Sequence, residues 1–202
     1  TNLNEFDKEK IRRAVLQIYP IQDASPEIEE ILFKVRLKGR NTERELKSIP
    51  RPELEILGFP KEIVDLLIQR WNETERCIES RAYLAAIILM GSLLEGLLLG
   101  MMESHKREAN TSLSSPKFKD GTVKPFSEWK LIEMIEVALT NGWIHIDRAK
   151  FSHALREFRN LVHPNLQLKT KVNPDENTCI ISWHVVQAAC ADTVNWKKNN
   201  VA

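Results

Sequence analysis

The fold of this chain is decided by residues 82–102, "AYLAAIILMGSLLEGLLLGMM". The segment is long enough to cross a bilayer, for which roughly 20 apolar residues are needed. Glu95 lies near its middle, however, and a charged side chain at the centre of a membrane span costs about 2.5–3.5 kcal/mol on insertion scales. Apolar residues also cover most of the circumference of the helical wheel. We therefore predict a central helix of a globular core, packed on nearly all sides, and not a membrane span.

The segments on either side of residues 82–102 predict further helices. Residues 61–80 carry Ile63, Leu67 and Trp71 at helical spacing and lead into the central segment. Downstream, Ser127 is placed as the N-cap of a helix that stops at the Asn-Gly pair of residues 141–142. Residues 110–125, rich in Ser, Thr, Lys and Pro, are typical of a loop.

The C-terminal third of the chain predicts two more helices. Asp147 can cap a helix over residues 148–163 that ends at Pro164. Residues 180–196 predict a mostly apolar final helix, although residues 180–186 also suit a strand. Four or five antiparallel helices joined by short to medium connections predict an all-α fold, an antiparallel helical bundle.

The N-terminal part of the chain predicts a small helical extension. Residues 5–18 and 26–38 are amphipathic at helical spacing and are separated by a turn. Three prolines, Pro50, Pro52 and Pro60, then interrupt the chain, where a boundary or hinge is expected. We predict a helical N-terminal region over residues 1–58 and a bundle over residues 59–202.

Composition limits the classes of function. The 202 residues contain 29 Lys and Arg against 28 Asp and Glu, so a net charge of +1 gives no overall attraction to nucleic acid and any basic surface must be local. The three cysteines are widely spaced, which predicts neither a disulfide framework nor a zinc site. A reducing cytoplasm is the expected location, since the polar N-terminal segment lacks the apolar core of a signal peptide. No cofactor or metal ion is indicated.

Residues 152–167, "SHALREFRNLVHPNLQ", carry the densest set of polar catalytic residue types. On a helical wheel the apolar residues of residues 151–162 form one stripe, whereas Arg156, Asn160 and His163 lie on a separate edge and Arg159 lies between the two. Arg156 and His163 are two turns apart, roughly 10 Å along the axis, so their side chains can converge on one phosphate. The spacing alone is not specific, because Arg148 and His153 match it too.

Residues 77–164 resemble a group of bacterial HEPN-like proteins that are related to abortive-infection and toxin-type HEPN domains. The segments that carry the resemblance are "AYLAAIILMGSLLEGLLL", "SEWKLIEMIEVALTNGWI" and above all "FSHALREFRNLVHP". The resemblance implies a helical bundle, commonly dimeric, and for many members a metal-independent ribonuclease whose Arg and His motif lines a cleft at the dimer interface.

The motif of the resembling family falls on four positions of this sequence. Arg156 or Arg159 corresponds to the arginine, Asn160 to its polar partner and His163 to the histidine. In the family the polar residue directly follows the motif arginine. Here Asn160 follows Arg159 with only two residues left before His163, whereas Arg156, at the permitted spacing, is followed by Glu157.

Two functions stay open at this point. In a ribonuclease, His163 transfers a proton to or from the ribose and the leaving oxygen, the arginines neutralise phosphate charge, and Asn160 orients the phosphate or the histidine. RNA, a second copy of the chain, and an antitoxin or regulatory protein are the expected partners. The alternative is a catalytically silent HEPN-like module that binds a protein or nucleotide partner.

Other conspicuous residues have structural interpretations. Glu95 is expected to form a buried ion pair with Arg156 or Arg159 that supports the site or fixes the register of the bundle. His184 is expected to be a hydrogen-bonded histidine in or at the rim of the core. The five tryptophans are expected to be packing anchors rather than platforms for base stacking.

Overall fold

The structure is a computed structural model, and it describes residues 50–147, 149, 163–170 and 173–200. Within these residues every regular element is a helix. The predicted all-α class is therefore confirmed. The α-helices of the described residues are α1 (Lys61–Glu79), α2 (Tyr83–Ser104), α3 (Lys106–Thr111), α4 (Leu131–Thr140), α5 (Pro164–Thr170) and α6 (Glu176–Asn200), and short 3-10 helices span Leu54–Leu57 and Phe126–Glu128.

Helices α1 and α2 form an antiparallel hairpin. The buried face of α1 includes Leu67, and Leu67 lies against Gly96 of α2. Further along, Phe59 covers Gly100 so closely that a Cβ atom built on Gly100 comes within 2.6 Å of the ring. Glycine at these two positions lets α1 and the segment before it approach the backbone of α2.

Helix α2 is the centre of the bundle, as the sequence predicts, because it packs against α1, α4 and α6. Its inward faces bury ten residues, from Ala86 to Met102. It is also the one described helix long and apolar enough to cross a membrane, a property that the core helix of a globular protein shares. The burial is less complete than the sequence predicts, since Ala85 and Leu99 are exposed and Glu95 is half-buried.

Helix α6 is helical from its first residue, so the alternative of a strand over residues 180–186 is wrong. Asp175 explains the clean start, because its carboxylate accepts hydrogen bonds from the backbone N–H of Thr178 (2.8 Å) and from the Thr178 hydroxyl (2.7 Å). The direction of α6 follows from two ring contacts. The ring centroids of Trp183 and of Trp71 on α1 are 4.5 Å apart, and those of Trp196 and of His105 at the end of α2 are 4.9 Å apart. Helix α6 therefore runs parallel to α2 and antiparallel to α1.

Helix α4 begins later than the sequence predicts. Ser127 is not its N-cap, because residues 126–128 form a 3-10 turn and α4 starts at Leu131. Trp129 accounts for the delay: its backbone is extended and its indole N–H donates to the carbonyl of Lys124 (2.8 Å). The carboxylate of Glu133 then accepts a hydrogen bond from the N–H of Lys130 (2.6 Å), which satisfies a donor at the start of α4.

The predicted end of α4 is confirmed. Asn141 closes the helix, and Gly142 follows with a φ of +69°. The N–H of Trp143 donates to the carbonyl of Ala138 (2.8 Å), and that of Gly142 donates to Leu139 (3.0 Å). This is the Schellman pattern, in which the left-handed position favours glycine.

The loop predicted over residues 110–125 contains an ordered hairpin-like turn. Lys117 and Val123 form an isolated antiparallel bridge. The backbone N–H of Phe118 donates to the carbonyl of Thr122 (2.8 Å), and that of Lys124 donates to Pro116 (3.0 Å). The sequence marks the tip with an Asp-Gly pair, which is a hairpin signal that the loop prediction did not use.

Residues 50–58 contribute to the same unit as the helices. Leu54 and Leu57 are fully buried, and their 3-10 helix packs on α1 and α6. Lys198 of α6 also pairs with Glu53 at 3.1 Å. Because residues 1–49 lie outside the described residues, the small helical N-terminal region and the division at residue 58 stay predictions.

Candidate functional site

The predicted catalytic histidine, His163, is exposed to solvent. It occupies a bend, and Pro164 directly after it is the first residue of α5. Proline suits this position because its ring presets the helical φ and the first turn of a helix does not use its N–H. Pro164 thus begins a helix that the sequence does not predict. The helix predicted over residues 148–163 stays a prediction, because residues 148 and 150–162 lie outside the described part of the chain.

The other three motif residues, Arg156, Arg159 and Asn160, lie outside the described residues. Glu95 does lie within them, on α2, where it is half-buried and engaged in an interaction. Its predicted ion pair with Arg156 or Arg159 stays a prediction, because both arginines belong to the part of the chain that is not described.

The remaining histidine singled out by the sequence, His184, is half-buried on α6. Its Nδ1 lies 3.1 Å from the side-chain oxygen of Gln187. The two side chains form a hydrogen bond one helical turn apart on α6. Gln187 is itself 4% exposed, so the histidine ring is oriented from within the core, as expected for a satisfied histidine at its rim.

A histidine that the sequence analysis did not single out, His105, lies in an aromatic cluster at the end of α2. Its ring is 4.9 Å from Trp196 at an angle of 86° and 5.8 Å from Trp143. Burial lowers the pKa of His105 below its usual range, and the positive charge of Lys197 lowers it further, against an opposing effect of Glu108. Nε2 of His105 and Nε1 of Trp143 are buried without a hydrogen-bond partner, and the edge-to-face rings are the geometry in which ring N–H groups approach a π face.

The tryptophans anchor the core, as predicted. Trp71, Trp143 and Trp183 are each 1% exposed, and Trp129 is 5% exposed. None of these four can offer a face to a nucleic-acid base without unpacking the bundle.

The cysteines also have structural positions. Cys179 and Cys190 are buried, Cys77 is partly buried, and all three are free thiols. Burial raises the pKa of both Cys179 and Cys190 to about 12, which makes them poor nucleophiles. Within the described ranges no group of three or more His, Cys, Asp and Glu side chains could hold a metal ion.

In comparisons with known proteins, no protein-family model, no curated protein and no solved structure matches the chain.

Proposed function

We propose that this chain is a HEPN-like helical domain that cleaves RNA without a metal ion, with His163 as its proton-transfer group. The observation that carries the proposal is the exposure of His163 beside Pro164, at the end of the motif segment. A catalytic histidine must reach a substrate from solvent, whereas a histidine that only stabilises a fold is usually packed and hydrogen-bonded, as His184 is.

The proposed reaction is an internal transesterification. The ribose 2′-hydroxyl attacks the adjacent phosphorus, its proton leaves to a base, and the 5′-oxygen of the next nucleotide departs with a proton from an acid. His163 serves as base or acid in this scheme, since one ring nitrogen of an imidazole can accept a proton and the other can donate one. Arg156 or Arg159 stabilises the charge on the phosphorane, and Asn160 orients the phosphate or the histidine. The proposal places these events in the cytoplasm, in a defence or toxin-type system.

A dimer is part of the proposal. The reaction needs both a base and an acid, and the motif contains one histidine per chain. If two chains meet at their motif segments, His163 of the second copy supplies the other proton-transfer group. Light scattering should give the mass of a dimer at tens of micromolar. A monomer under those conditions contradicts this arrangement, and an antitoxin or regulatory protein then becomes the expected partner.

The second candidate is a silent HEPN-like module that binds a protein or nucleotide. The spacing around Asn160, which departs from the active pattern, favours it. An assay on single-stranded, structured and transfer RNA at neutral pH, in the presence of EDTA, separates the two candidates. We expect RNA to be cut to 2′,3′-cyclic phosphate ends and DNA to remain intact, because the 2′-hydroxyl is the nucleophile.

The matched variants are His163→Ala and His153→Ala. The first should abolish cleavage and leave the circular dichroism spectrum unchanged, and the second should cut like the wild type. Arg156→Ala and Arg159→Ala identify the motif arginine, whose loss should cost on the order of 10² in rate. Absence of cleavage by the wild type on all three RNAs rejects the ribonuclease in favour of the silent module.

A further inference from the structure

The turn over residues 116–124 is a built hairpin rather than an irregular loop. Its tip is a β-turn in which the N–H of Gly121 donates to the carbonyl of Phe118 (3.0 Å), and Gly121 has a φ of +87°. A turn followed by a left-handed glycine is a standard three-residue hairpin loop. Asp120 stiffens the tip, since its carboxylate accepts hydrogen bonds from the backbone N–H (2.9 Å) and the hydroxyl (2.6 Å) of Thr122.

The hairpin is attached to the bundle at its base. The indole N–H of Trp129, a buried side chain, donates to the carbonyl of Lys124. The ammonium group of Lys124 lies 3.6 Å from the carboxylate of Glu133 on α4. The base of the hairpin is therefore fixed, and Lys124 is already paired.

The tip presents three consecutive exposed side chains, Lys117, Phe118 and Lys119. Phe118 is 42% exposed, whereas most of the other aromatic side chains in the described part of the chain are buried. Two lysines adjacent in sequence to an exposed ring give this turn a local positive charge on a chain whose overall charge is close to neutral. Asp120 is the one carboxylate within the turn; hydrogen bonds from Thr122 fix its position, and its charge offsets part of that of the two lysines.

We propose that the 116–124 hairpin binds single-stranded RNA, with Phe118 stacking on a base and Lys117 and Lys119 contacting the flanking phosphates. The proposal deepens the proposed function by naming how the substrate is held. An aromatic face stacks on any base, and ammonium groups neutralise phosphates on either side. A preordered tip lowers the entropy that binding must overcome. A single half-exposed ring gives little apolar area to insert into a bilayer, so a membrane surface is less favoured.

The test measures binding separately from cleavage. The His163→Ala protein, which keeps bound RNA intact, is titrated against a short fluorescein-labelled oligouridine and followed by fluorescence anisotropy. Adding Phe118→Ala should weaken binding by on the order of 10-fold or more, whereas Phe118→Trp should retain it. Replacing Lys117 and Lys119 together by alanine should reduce the dependence of log K on log salt by about 1.4, at about 0.7 per phosphate contact on a single strand.

Controls come from other elements of the chain. Leu66→Ala removes a side chain of nearly the same exposure (43%), and Lys61→Ala removes an exposed lysine at the start of α1. Both should bind RNA like the parent protein. Thermal unfolding of each variant should match the parent, because the changed side chains are on the surface.

The outcomes separate the two proposals. If binding depends on Phe118 and the two lysines but the wild-type protein does not cleave RNA, the hairpin site is supported and the ribonuclease is rejected. Cleavage and binding that are both indifferent to Phe118 and the two lysines overturn the hairpin site alone. No binding of the oligouridine, or hairpin-dependent binding of phosphatidylserine vesicles in its place, also overturns it.

Discussion

Arg81 is the one described residue other than glycine with a positive φ, at +59°. It ends α1 as Gly142 ends α4, with the N–H of Ala82 donating to the carbonyl of Cys77 (2.8 Å) and its own N–H donating to Ile78 (3.0 Å). A side chain with a Cβ atom is strained in this conformation, which glycine adopts freely. The hydrogen bonds of the turn hold Arg81 there.

Replacing Arg81 by glycine should therefore stabilise the protein. The relief of backbone strain exceeds the added freedom of the unfolded chain, so we expect a gain of about 0.5–1 kcal/mol in the free energy of unfolding. Urea unfolding measures it. Gly142→Ala is the reciprocal control and should destabilise by about 1 kcal/mol. A destabilised Arg81→Gly protein contradicts this account of the turn.

The second residue with a predicted consequence is His105. Its pKa is lowered in the folded state from the usual 6.5, so the unfolded chain binds a proton more readily. Stability should be constant above about pH 7 and fall as the pH decreases through 6.5 toward the lower folded value. The His105→Phe variant should lose this pH-dependent part of the free energy of unfolding. Urea midpoints of the variant and of the wild type, measured at several pH values, will show the difference. Parallel curves for the two proteins contradict the prediction.

Whether a feature of a single residue can be predicted from the sequence depends on how close in the chain its partners lie. The glycine at residue 142 and the cap at Asp175 act within a few residues, so sequence patterns can identify such sites. The cluster of His105 with Trp143 and Trp196 joins three distant parts of the chain, and no local pattern announces it. Exposure of His163 likewise depends on what packs around it, although its type and its proline neighbour made it a candidate from the sequence.

At the scale of elements, the contact between α1 and α2 depends on two glycines of α2. A Cβ atom on Gly100 meets the ring of Phe59 at 2.6 Å, and the ring is 7% exposed, with little room to move. A Cβ atom on Gly96 meets only the end of the Leu67 side chain, at 3.0 Å. Both positions are glycines of the same helix, but Gly100 faces a buried ring and Gly96 faces a flexible side chain.

Gly100→Ala should destabilise the protein by about 1–2 kcal/mol, because overpacking costs more than the gain in helix propensity. Gly96→Ala should be close to neutral, since the leucine can shift and the propensity gain offsets the crowding. Adding Phe59→Leu should recover part of the Gly100→Ala loss in a double-mutant cycle. Equal effects at the two glycines would show that propensity, and not packing, controls this helix pair.

Elements with strong periodicity were predictable, and their junctions were less so. The apolar excess of α2 identifies it as the central helix from composition alone. The start of α4 was misplaced because the Trp129 indole bonds to a carbonyl five residues earlier, a contact that outweighs the capping preference of Ser127. The strand alternative in α6 arose from β-branched residues, whose preference tertiary packing overrides.

At the scale of the whole molecule, burial orders the three thiols. Cys77 is partly exposed, whereas Cys179 and Cys190 are buried and have pKa values raised to about 12. With the native protein at neutral pH, an alkylating reagent should modify Cys77 first, as detected by mass spectrometry. The other two should react only in urea, across the same transition that unfolds the helices. Prompt labelling of Cys190 in the native protein would contradict the packing of α6 against α2.

The packing of α6 against α2, two helices far apart in the sequence, has a consequence for synthesis of the chain. The α1–α2 hairpin closes through a tight turn, but α2 receives its cover from α6 only after the whole span between Ser104 and Glu176 has been translated. At about 5–20 residues per second, this span takes several seconds. During that interval α2 is covered by α1 and then by α4, but the apolar face that α6 later covers stays exposed. An exposed apolar face of this kind makes the incomplete chain prone to aggregation until α6 is complete.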